Sequence, residues 1–198
     1  MNFKKALLIV DVQNDFCPGG ALAVPEGDKI VPILNKYIKI FSKNKLPIFS
    51  SRDWHPKETK HFKDFGGLWP EHSIQNSKGA SFHHDLKLPK ETIILSKGMD
   101  PEEDSYSAFQ AVDNHGTKFL NLLKILGITE LFVGGLATDY CVKYSVLDAL
   151  KLGFKVQLLM DAIQGVNIKP TDSRYAIEEM LIRKAKKITF AQLSKLLS

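Results

Sequence analysis

Apolar runs of strand length alternate along the chain with segments in which apolar residues recur every three to four positions. The apolar runs predict strands at 6–12, 46–51, 91–96, 130–136, 155–161 and 187–190. The periodic segments predict helices at 29–41, 119–127, 142–153, 173–185 and 191–198. Because most of the strands are apolar at consecutive positions rather than at alternate ones, we expect them to be buried on both faces.

This order of elements predicts a doubly wound α/β fold. Strands that alternate with helices form a mostly parallel, six-stranded sheet with helices on both faces, a three-layer arrangement like the Rossmann fold. The whole chain, 1–198, is interpreted as one domain and is long enough to bury a sizeable core. Ligands of such folds bind outside the carboxyl ends of the strands, so the residues that follow each strand are the place to look for chemistry.

One long segment, at about 52–90, interrupts the alternation. It has little periodicity, yet it contains both tryptophans and five of the six histidines of the chain. Loops of this length inside a compact domain are uncommon and are usually functional or disordered. The concentration of histidine and tryptophan favours a functional loop.

Composition and charge narrow the classes of function. A chain with 44% hydrophobic and 25% charged residues is typical of a soluble globular protein. The net charge of +5 comes mainly from dispersed lysines, which indicates a solvated surface and not a nucleic-acid reader. No segment approaches the roughly 18 apolar residues of a membrane helix, and the apolar run before Asp11 is too short for a secretory signal. We therefore expect a cytoplasmic protein without a nucleic-acid or membrane partner. A homo-oligomer is compatible with the sequence.

Polar residues stand at the carboxyl end of four predicted strands. Asp11 closes the first strand, Asp53 and His55 follow the second, Lys97 follows the third and Cys141 follows the fourth. Taken singly, each is as readily a turn former, a helix cap or a core residue. Four separate segments that converge on one sheet edge indicate an active site.

Cys141 is the candidate nucleophile of this site. The chain has one other cysteine, Cys17, so a disulfide framework is not predicted. A thiol at the start of a helix is near free amide groups and the positive end of the helix dipole, which favour the thiolate and lower its pKa. Asp11 is then a candidate base, and Lys97 would keep that carboxylate charged. The alternative is a buried structural cysteine.

The histidines of the long segment predict a metal site. Asp53 and His55 are two residues apart, so they point to one face if the strand continues through them. With His72 they offer one oxygen and two imidazole nitrogens, a set that zinc, iron and manganese all accept. His61 is a candidate fourth ligand. The remaining histidines, His83, His84 and His115, are expected at the surface.

Six ordered blocks of sequence, spread over nearly the whole chain, carry a resemblance to a known family. They are LLIVDVQNDFCPGGALAV (7–24), SRDWHP (51–56), WPEHSIQNSKGA (69–80), SKGMD (96–100), DSYSAF (104–109) and GGLATDYCV (134–142). In these blocks the chain resembles the nicotinamidases of the isochorismatase-like cysteine hydrolase superfamily. The match rests on the six blocks together and is much more specific than any one of them.

The resemblance implies roles for residues at the matching positions. It implies a catalytic triad of Asp11, Lys97 and Cys141, and one divalent transition metal ion, with zinc favoured over iron or manganese. The implied metal ligands are Asp53, His55 and His72, with His61 matching members that add a ligand from the intervening loop; other members use a different side chain or water there.

The same resemblance implies an oxyanion hole and a ring pocket. Members have a cis peptide that corresponds here to Leu136–Ala137, and the backbone amides of Ala137 and Cys141 would face the oxyanion. Aromatic residues sandwich the pyridine ring in members, and Leu22 is expected to line the same pocket. The matching aromatic residues here are Phe16, Trp69 and Tyr106.

The implied activity is hydrolysis of nicotinamide to nicotinate and ammonia through a thioester on Cys141, a step of NAD salvage, with pyrazinamide as an analogous substrate. Rivals of the same fold cleave isochorismate without this metal site or hydrolyse ureido and carbamoyl compounds with the same triad. The D-x-H pair together with W-P-x-H favours the nicotinamidases. A non-enzymatic binding protein on the same scaffold would be expected to lose triad or ligand residues, and all are present here.

Overall fold

The computed structural model describes residues 4–197 and contains every predicted strand and helix, with ends shifted by a few residues. Strands β1 to β6 are Lys4–Val10, Ile48–Asp53, Ile93–Lys97, Ile128–Leu136, Lys155–Gln164 and Lys186–Ile188. Helices α1 to α5 are Val31–Lys43, Phe119–Ile125, Lys143–Lys151, Asp172–Ile182 and Phe190–Leu197. The last predicted helix was drawn to Ser198, which lies outside the described residues. Among the described helices, none is long and apolar enough to cross a membrane.

The six strands form one parallel sheet in the order β3-β2-β1-β4-β5-β6. Strand β1 lies at the centre, with Leu8 opposite Phe49 of β2 on one side and opposite Val133 of β4 on the other. The strand order reverses between β1 and β4, which is where doubly wound folds bind their ligands. The predicted fold class is confirmed.

Two apolar cores, one on each face of the sheet, hold the layers together. Alternate residues of β1 divide between them: Leu8 and Val10 pack in one core, and Leu7 and Ile9 in the other. The first core includes buried residues of α2, α3 and α4, and the second includes buried residues of α1 and α5. This double burial explains why the strands are apolar at consecutive positions.

Strand β4 approaches β1 so closely near its end that a side chain has no room. Gly135, opposite Val10, has φ +126°, and a Cβ atom there would lie 2.1 Å from the Val10 carbonyl oxygen. One residue further on, the peptide bond Leu136–Ala137 is cis, as the family resemblance implied. Gly135 therefore allows β4 to pass close to β1 at the end of the sheet, just before the chain turns toward Cys141.

Replacing this glycine tests the close approach. We expect Gly135→Ala to lower the free energy of unfolding in urea by about 1–3 kcal/mol more than Gly116→Ala does, because of the added overlap with Val10. Gly116 also has a positive φ, +77°, but no neighbour within 4 Å of the added atom, so it measures the cost of an alanine at positive φ without a steric overlap, about 1–3 kcal/mol. Equal losses for the two variants would contradict the steric account.

Candidate active site

The strand ends bring together four polar residues that the sequence singled out as a potential base, metal ligand, charge partner and nucleophile. Asp11 directly follows β1, Asp53 is the last residue of β2 and Lys97 is the last residue of β3. Cys141 lies five residues beyond the end of β4. All four are buried, so the charges of Asp11, Asp53 and Lys97 must be compensated within the protein.

The Lys97 ammonium group is the centre of this cluster. It forms ion pairs with the carboxylates of Asp53 and Asp11, and its distance to Asp11 Oδ2 is 2.9 Å. It also donates to the Ser105 carbonyl oxygen at 3.1 Å and lies 3.5 Å from the Cys141 sulfur. The other oxygen of Asp11 accepts a hydrogen bond from the Ser51 hydroxyl at 2.7 Å. One cation therefore contacts the candidate base, the candidate nucleophile and the candidate metal ligand.

The two carboxylates that share this ammonium group differ in acidity. Burial raises the pKa of Asp11 above its ordinary value, although Lys97 opposes the shift. Burial also acts to raise the pKa of Asp53, but there Lys97 and then His55 prevail and the pKa is lowered. Burial would lower the pKa of Lys97, yet the two carboxylates raise it well above the ordinary value. Lys97 and Asp53 therefore stay charged, and Asp11 is the weaker acid.

The expected low pKa of Cys141 is wrong for the protein as described. Cys141 does not begin a regular helix: it lies in a kinked turn, Thr138–Val142, in which Tyr140 has non-helical angles, and α3 starts only at Lys143. Burial raises the pKa of the thiol well above its ordinary value, and the attraction of Lys97 does not offset it. The resting sulfur is thus a thiol, and attack by it requires a neighbouring base.

Three buried histidines from the long loop lie against Asp53. The rings of His55 and His61 stack with centroids 4.6 Å apart, and the rings of His55 and His72 meet edge to face at 5.1 Å. Asp53 Oδ2 lies 3.8 Å from His55 Nε2 and 3.9 Å from His72 Nε2. The structure therefore brings together all four sequence-predicted metal ligands, including His61.

The surroundings of these side chains fit a divalent metal ion. His72 Nδ1 donates to the Pro70 carbonyl oxygen at 2.7 Å and His61 Nδ1 bonds the Asp104 carboxylate, so both rings keep Nε2 for a metal. Both ring nitrogens of His55 are buried without a hydrogen-bond partner. Burial lowers the pKa of His61 and lowers that of His72 to about 4, which favours the neutral, metal-binding form. Three imidazoles and a carboxylate are a donor set for divalent transition metals.

Two further residues support this cluster and were not found from the sequence. Gln13 is fully buried; its side-chain oxygen accepts from the Asp53 amide at 2.7 Å and its nitrogen donates to the Asp53 carbonyl at 2.8 Å. Gly98 lies so close to His55 that a Cβ atom would be 2.4 Å from the ring. Gln13 lies two residues after Asp11 in the block 7–24, and Gly98 directly follows Lys97 in the block 96–100. Their places beside these catalytic candidates were the signal that could have identified them.

The cavity beside the cluster has a volume of about 460 Å³, counting its open mouth. It is lined by each of the predicted ring-binding residues, together with the candidate nucleophile and three of the four candidate metal ligands. Its lining residues are Phe16, Leu22, Val24, Asp53, His61, Trp69, His72, Ser105, Tyr106, Leu136, Ala137, Tyr140, Cys141 and Val166. The wall is mainly apolar and aromatic, as expected for a site that takes a small flat molecule.

Aromatic contacts fix one wall of the cavity. Trp69 donates its indole N–H to the Tyr106 hydroxyl at 2.9 Å and packs edge to face on Tyr140 at 5.0 Å. Tyr140 was not predicted, although it stands in the quoted TDYC turn. Val166, from the loop after β5, was also missed, and no motif in the sequence marks it.

The remaining histidines lie outside the cavity. His84 and His115 are exposed and His83 is half-buried. The rings of His83 and His84 stack on each other at 4.4 Å. The prediction that they are surface residues is confirmed for His84 and His115, whereas His83 is partly covered.

Comparison with known proteins assigns the family. The model of the isochorismatase domain matches residues 5–192, and the chain belongs to this family. The chain is 44% identical to the nicotinamidase of Escherichia coli strain K12, over 89% of this chain and 90% of that protein.

Solved structures agree with that assignment. The pyrazinamidase of Pyrococcus horikoshii in complex with zinc is 44% identical, with a TM-score of 0.87 over 94% of this chain and 99% of its own. The protein PnC1 of L. infantum in complex with nicotinate is 30% identical, with a TM-score of 0.85 over 97% of this chain and 96% of its own.

The hydrogen bond between Asp104 and His61 gives a test of the metal site. We expect Asp104→Ala to weaken zinc binding about 10- to 100-fold, because a metal-bound imidazole depends on such a partner for its orientation and basicity. Competition with a chromophoric chelator measures the affinity. Glu178→Ala, which removes an exposed carboxylate on α4, is the control and should leave the affinity unchanged. Equal affinities for both variants would contradict the claim that the Asp104–His61 hydrogen bond supports metal binding.

Proposed function

We propose that this protein is a metal-dependent amidohydrolase that converts nicotinamide to nicotinate and ammonia. The observation that carries the proposal is the meeting of two groups in one cavity: the Asp11, Lys97 and Cys141 cluster, and the buried histidines beside Asp53. Amide hydrolysis needs a nucleophile, a proton carrier and a means of orienting the substrate. The similarity to nicotinamidases along most of the chain supports this substrate class.

Asp11 is proposed as the proton carrier. Two carboxylates whose surroundings push their pKa values apart commonly divide the roles of acid–base catalyst and permanent charge. The raised pKa of Asp11 suits it to take the proton of the Cys141 thiol and later to return it to the departing amine. Asp53, held ionised by Lys97, is left for the metal.

Cys141 is proposed to attack the carboxamide carbon once Asp11 has taken its proton. Lys97, 3.5 Å from the sulfur, stabilises the thiolate as it forms. The carbonyl oxygen becomes an oxyanion that the amides of Ala137 and Cys141 would receive. Collapse of this adduct breaks the C–N bond, ammonia leaves with the proton from Asp11, and a thioester remains on the sulfur. Water deprotonated by Asp11 then attacks the thioester carbon, the C–S bond breaks to release nicotinate, and the Cys141 sulfur recovers the proton from Asp11.

The cavity wall and the metal shell are proposed to orient the ring. Phe16, Leu22, Trp69 and Tyr106 enclose the pyridine ring and exclude water from the thioester. An ion held by Asp53 and the three histidines would supply a Lewis acid for the pyridine nitrogen and for a bound water. We propose zinc, which the Pyrococcus relative contains, while the same donors also accept iron and manganese.

The role in the cell follows from this chemistry. Nicotinamide is released from pyridine nucleotides, and nicotinate is its deamidated form, so we place the reaction in NAD salvage. We propose the cytoplasm as its location. The small apolar cavity suits pyrazinamide, which has the same carboxamide on a similar ring, as a second substrate.

Substitution of the nucleophile tests the covalent step. We expect Cys141→Ala to lower the kcat of ammonia release from nicotinamide by at least about 1,000-fold, because the thioester route is lost. Cys17→Ala is the matched control, a second buried cysteine outside the cavity, and should retain most of the activity. Release of ammonia by Cys141→Ala at the rate of the unaltered protein would contradict the mechanism.

Removal of the metal tests ring orientation. We expect protein stripped with a chelator to lose at least about 100-fold in kcat/KM for nicotinamide, because the ring nitrogen loses its anchor. Added zinc should restore the activity. Benzamide, which lacks that nitrogen, should be a poor substrate for both the stripped and the metal-loaded protein. A metal-loaded protein that treats benzamide and nicotinamide alike would rule out recognition of the ring nitrogen.

A further inference from the structure

Ser105 has a hydroxyl group that nothing in the described structure accounts for. The residue is 8% exposed and lines the catalytic cavity, yet its Oγ atom is buried without a hydrogen-bond partner. Within residues 4–197, three other buried hydroxyls lack a partner, at Ser50, Thr92 and Ser173, and none of them lines this cavity. A buried hydroxyl without a partner costs free energy, so one placed in a binding site indicates a ligand group that satisfies it.

The backbone of Ser105 fixes its position relative to the reacting groups. Its carbonyl oxygen accepts from Lys97 Nζ at 3.1 Å, and the same nitrogen is 3.5 Å from the Cys141 sulfur and 2.9 Å from Asp11. Ser105 therefore stands on the Lys97 side of the nucleophile. Ala137, whose amide is proposed for the oxyanion hole, belongs to the turn that carries Cys141.

This placement decides which part of the substrate Ser105 would meet. A carboxamide has one oxygen and one nitrogen on its reacting carbon. If the oxygen is directed to the amides of the Ala137–Cys141 turn, the nitrogen is directed to the side of Lys97 and Asp11. Asp11 must lie near that nitrogen in any case, because it returns a proton to it as ammonia leaves.

We infer that the Ser105 hydroxyl accepts a hydrogen bond from the substrate NH2 group and so selects primary carboxamides over the corresponding esters. This inference rests on the proposed function and adds to it a residue that determines specificity. Ser105 takes no part in the transfer of protons; it holds the leaving nitrogen. An ester has no N–H to donate to this hydroxyl, and its alkoxy oxygen is only a weak acceptor for the O–H group, so it gains much less from Ser105 than an amide does.

Hydrolysis of nicotinamide and of methyl nicotinate tests the inference, because both yield nicotinate and one chromatographic assay serves for both. In Ser105→Ala we expect kcat/KM to fall about 5- to 15-fold for nicotinamide and less than about 2-fold for methyl nicotinate, the cost of one lost hydrogen bond. The inhibition constant of methyl nicotinate against nicotinamide should likewise stay the same. This second readout does not require the ester to be turned over.

Matched variants separate recognition from folding. Ser50→Ala removes an equally buried, unpartnered hydroxyl from β2 and should change neither substrate's kinetics. Ser105→Ala removes no hydrogen bond from the described protein, so the thermal stability of this variant should not fall. If the alanine variant fails to fold, Ser105→Gly also lacks the hydroxyl and allows the same comparison of the two substrates.

The outcomes are distinct. An unchanged amide-to-ester ratio in the Ser105 variants, with the unaltered protein active on nicotinamide, would overturn the role of Ser105 alone. An unaltered, metal-loaded protein without activity on nicotinamide would overturn the proposed function and this inference with it.

Discussion

A single buried ammonium group is the constraint around which the site is arranged. Lys97 ends β3, and its charge is compensated by carboxylates at the carboxyl ends of β2 and β1. Neither Asp11 nor Asp53 could remain buried as an anion without it. The parallel order β3-β2-β1-β4 places the contributing strand ends side by side, so the fold itself delivers these charges to one point.

Asp53 and Asp11 share the Lys97 ammonium group unequally, and this gives the two carboxylates different roles. Asp53 also lies beside His55 and His72, and it remains the stronger acid. Asp11 has Lys97 and the Ser51 hydroxyl, and burial weakens it as an acid. The nucleophile is likewise held as a thiol by burial. A base and a protonated nucleophile thus lie side by side at one buried site.

The sequence predicted the elements and most of the candidate site because both depend on local patterns. Buried parallel strands leave a nearly continuous apolar signal, and the residues that end them, such as Asp11 and Lys97, are the ones that meet at the sheet edge. His61 could be proposed from its motif, but its place against Asp104 depends on the fold of the long loop.

Other features could not be predicted because they arise from packing. The sign of the Cys141 pKa shift depends on how completely the thiol is desolvated, and motif reasoning about a helix N-terminus gave the wrong direction. Val166 reaches the cavity from the loop after β5, far from any motif. The unsatisfied hydroxyl of Ser105 is visible only when the hydrogen-bond partners of a buried group are sought in three dimensions.

The account depends most on the pairing of Lys97 with its carboxylates, and a double-mutant cycle of unfolding free energies tests it most directly. Lys97→Met, which keeps the length of the side chain without its charge, should cost about 3–5 kcal/mol, because two buried carboxylates lose their cation. Addition of Asp11→Asn should recover part of that loss, with a coupling energy of more than about 1 kcal/mol. Strictly additive effects of the two substitutions would contradict the claim that Lys97 and Asp11 stabilise each other.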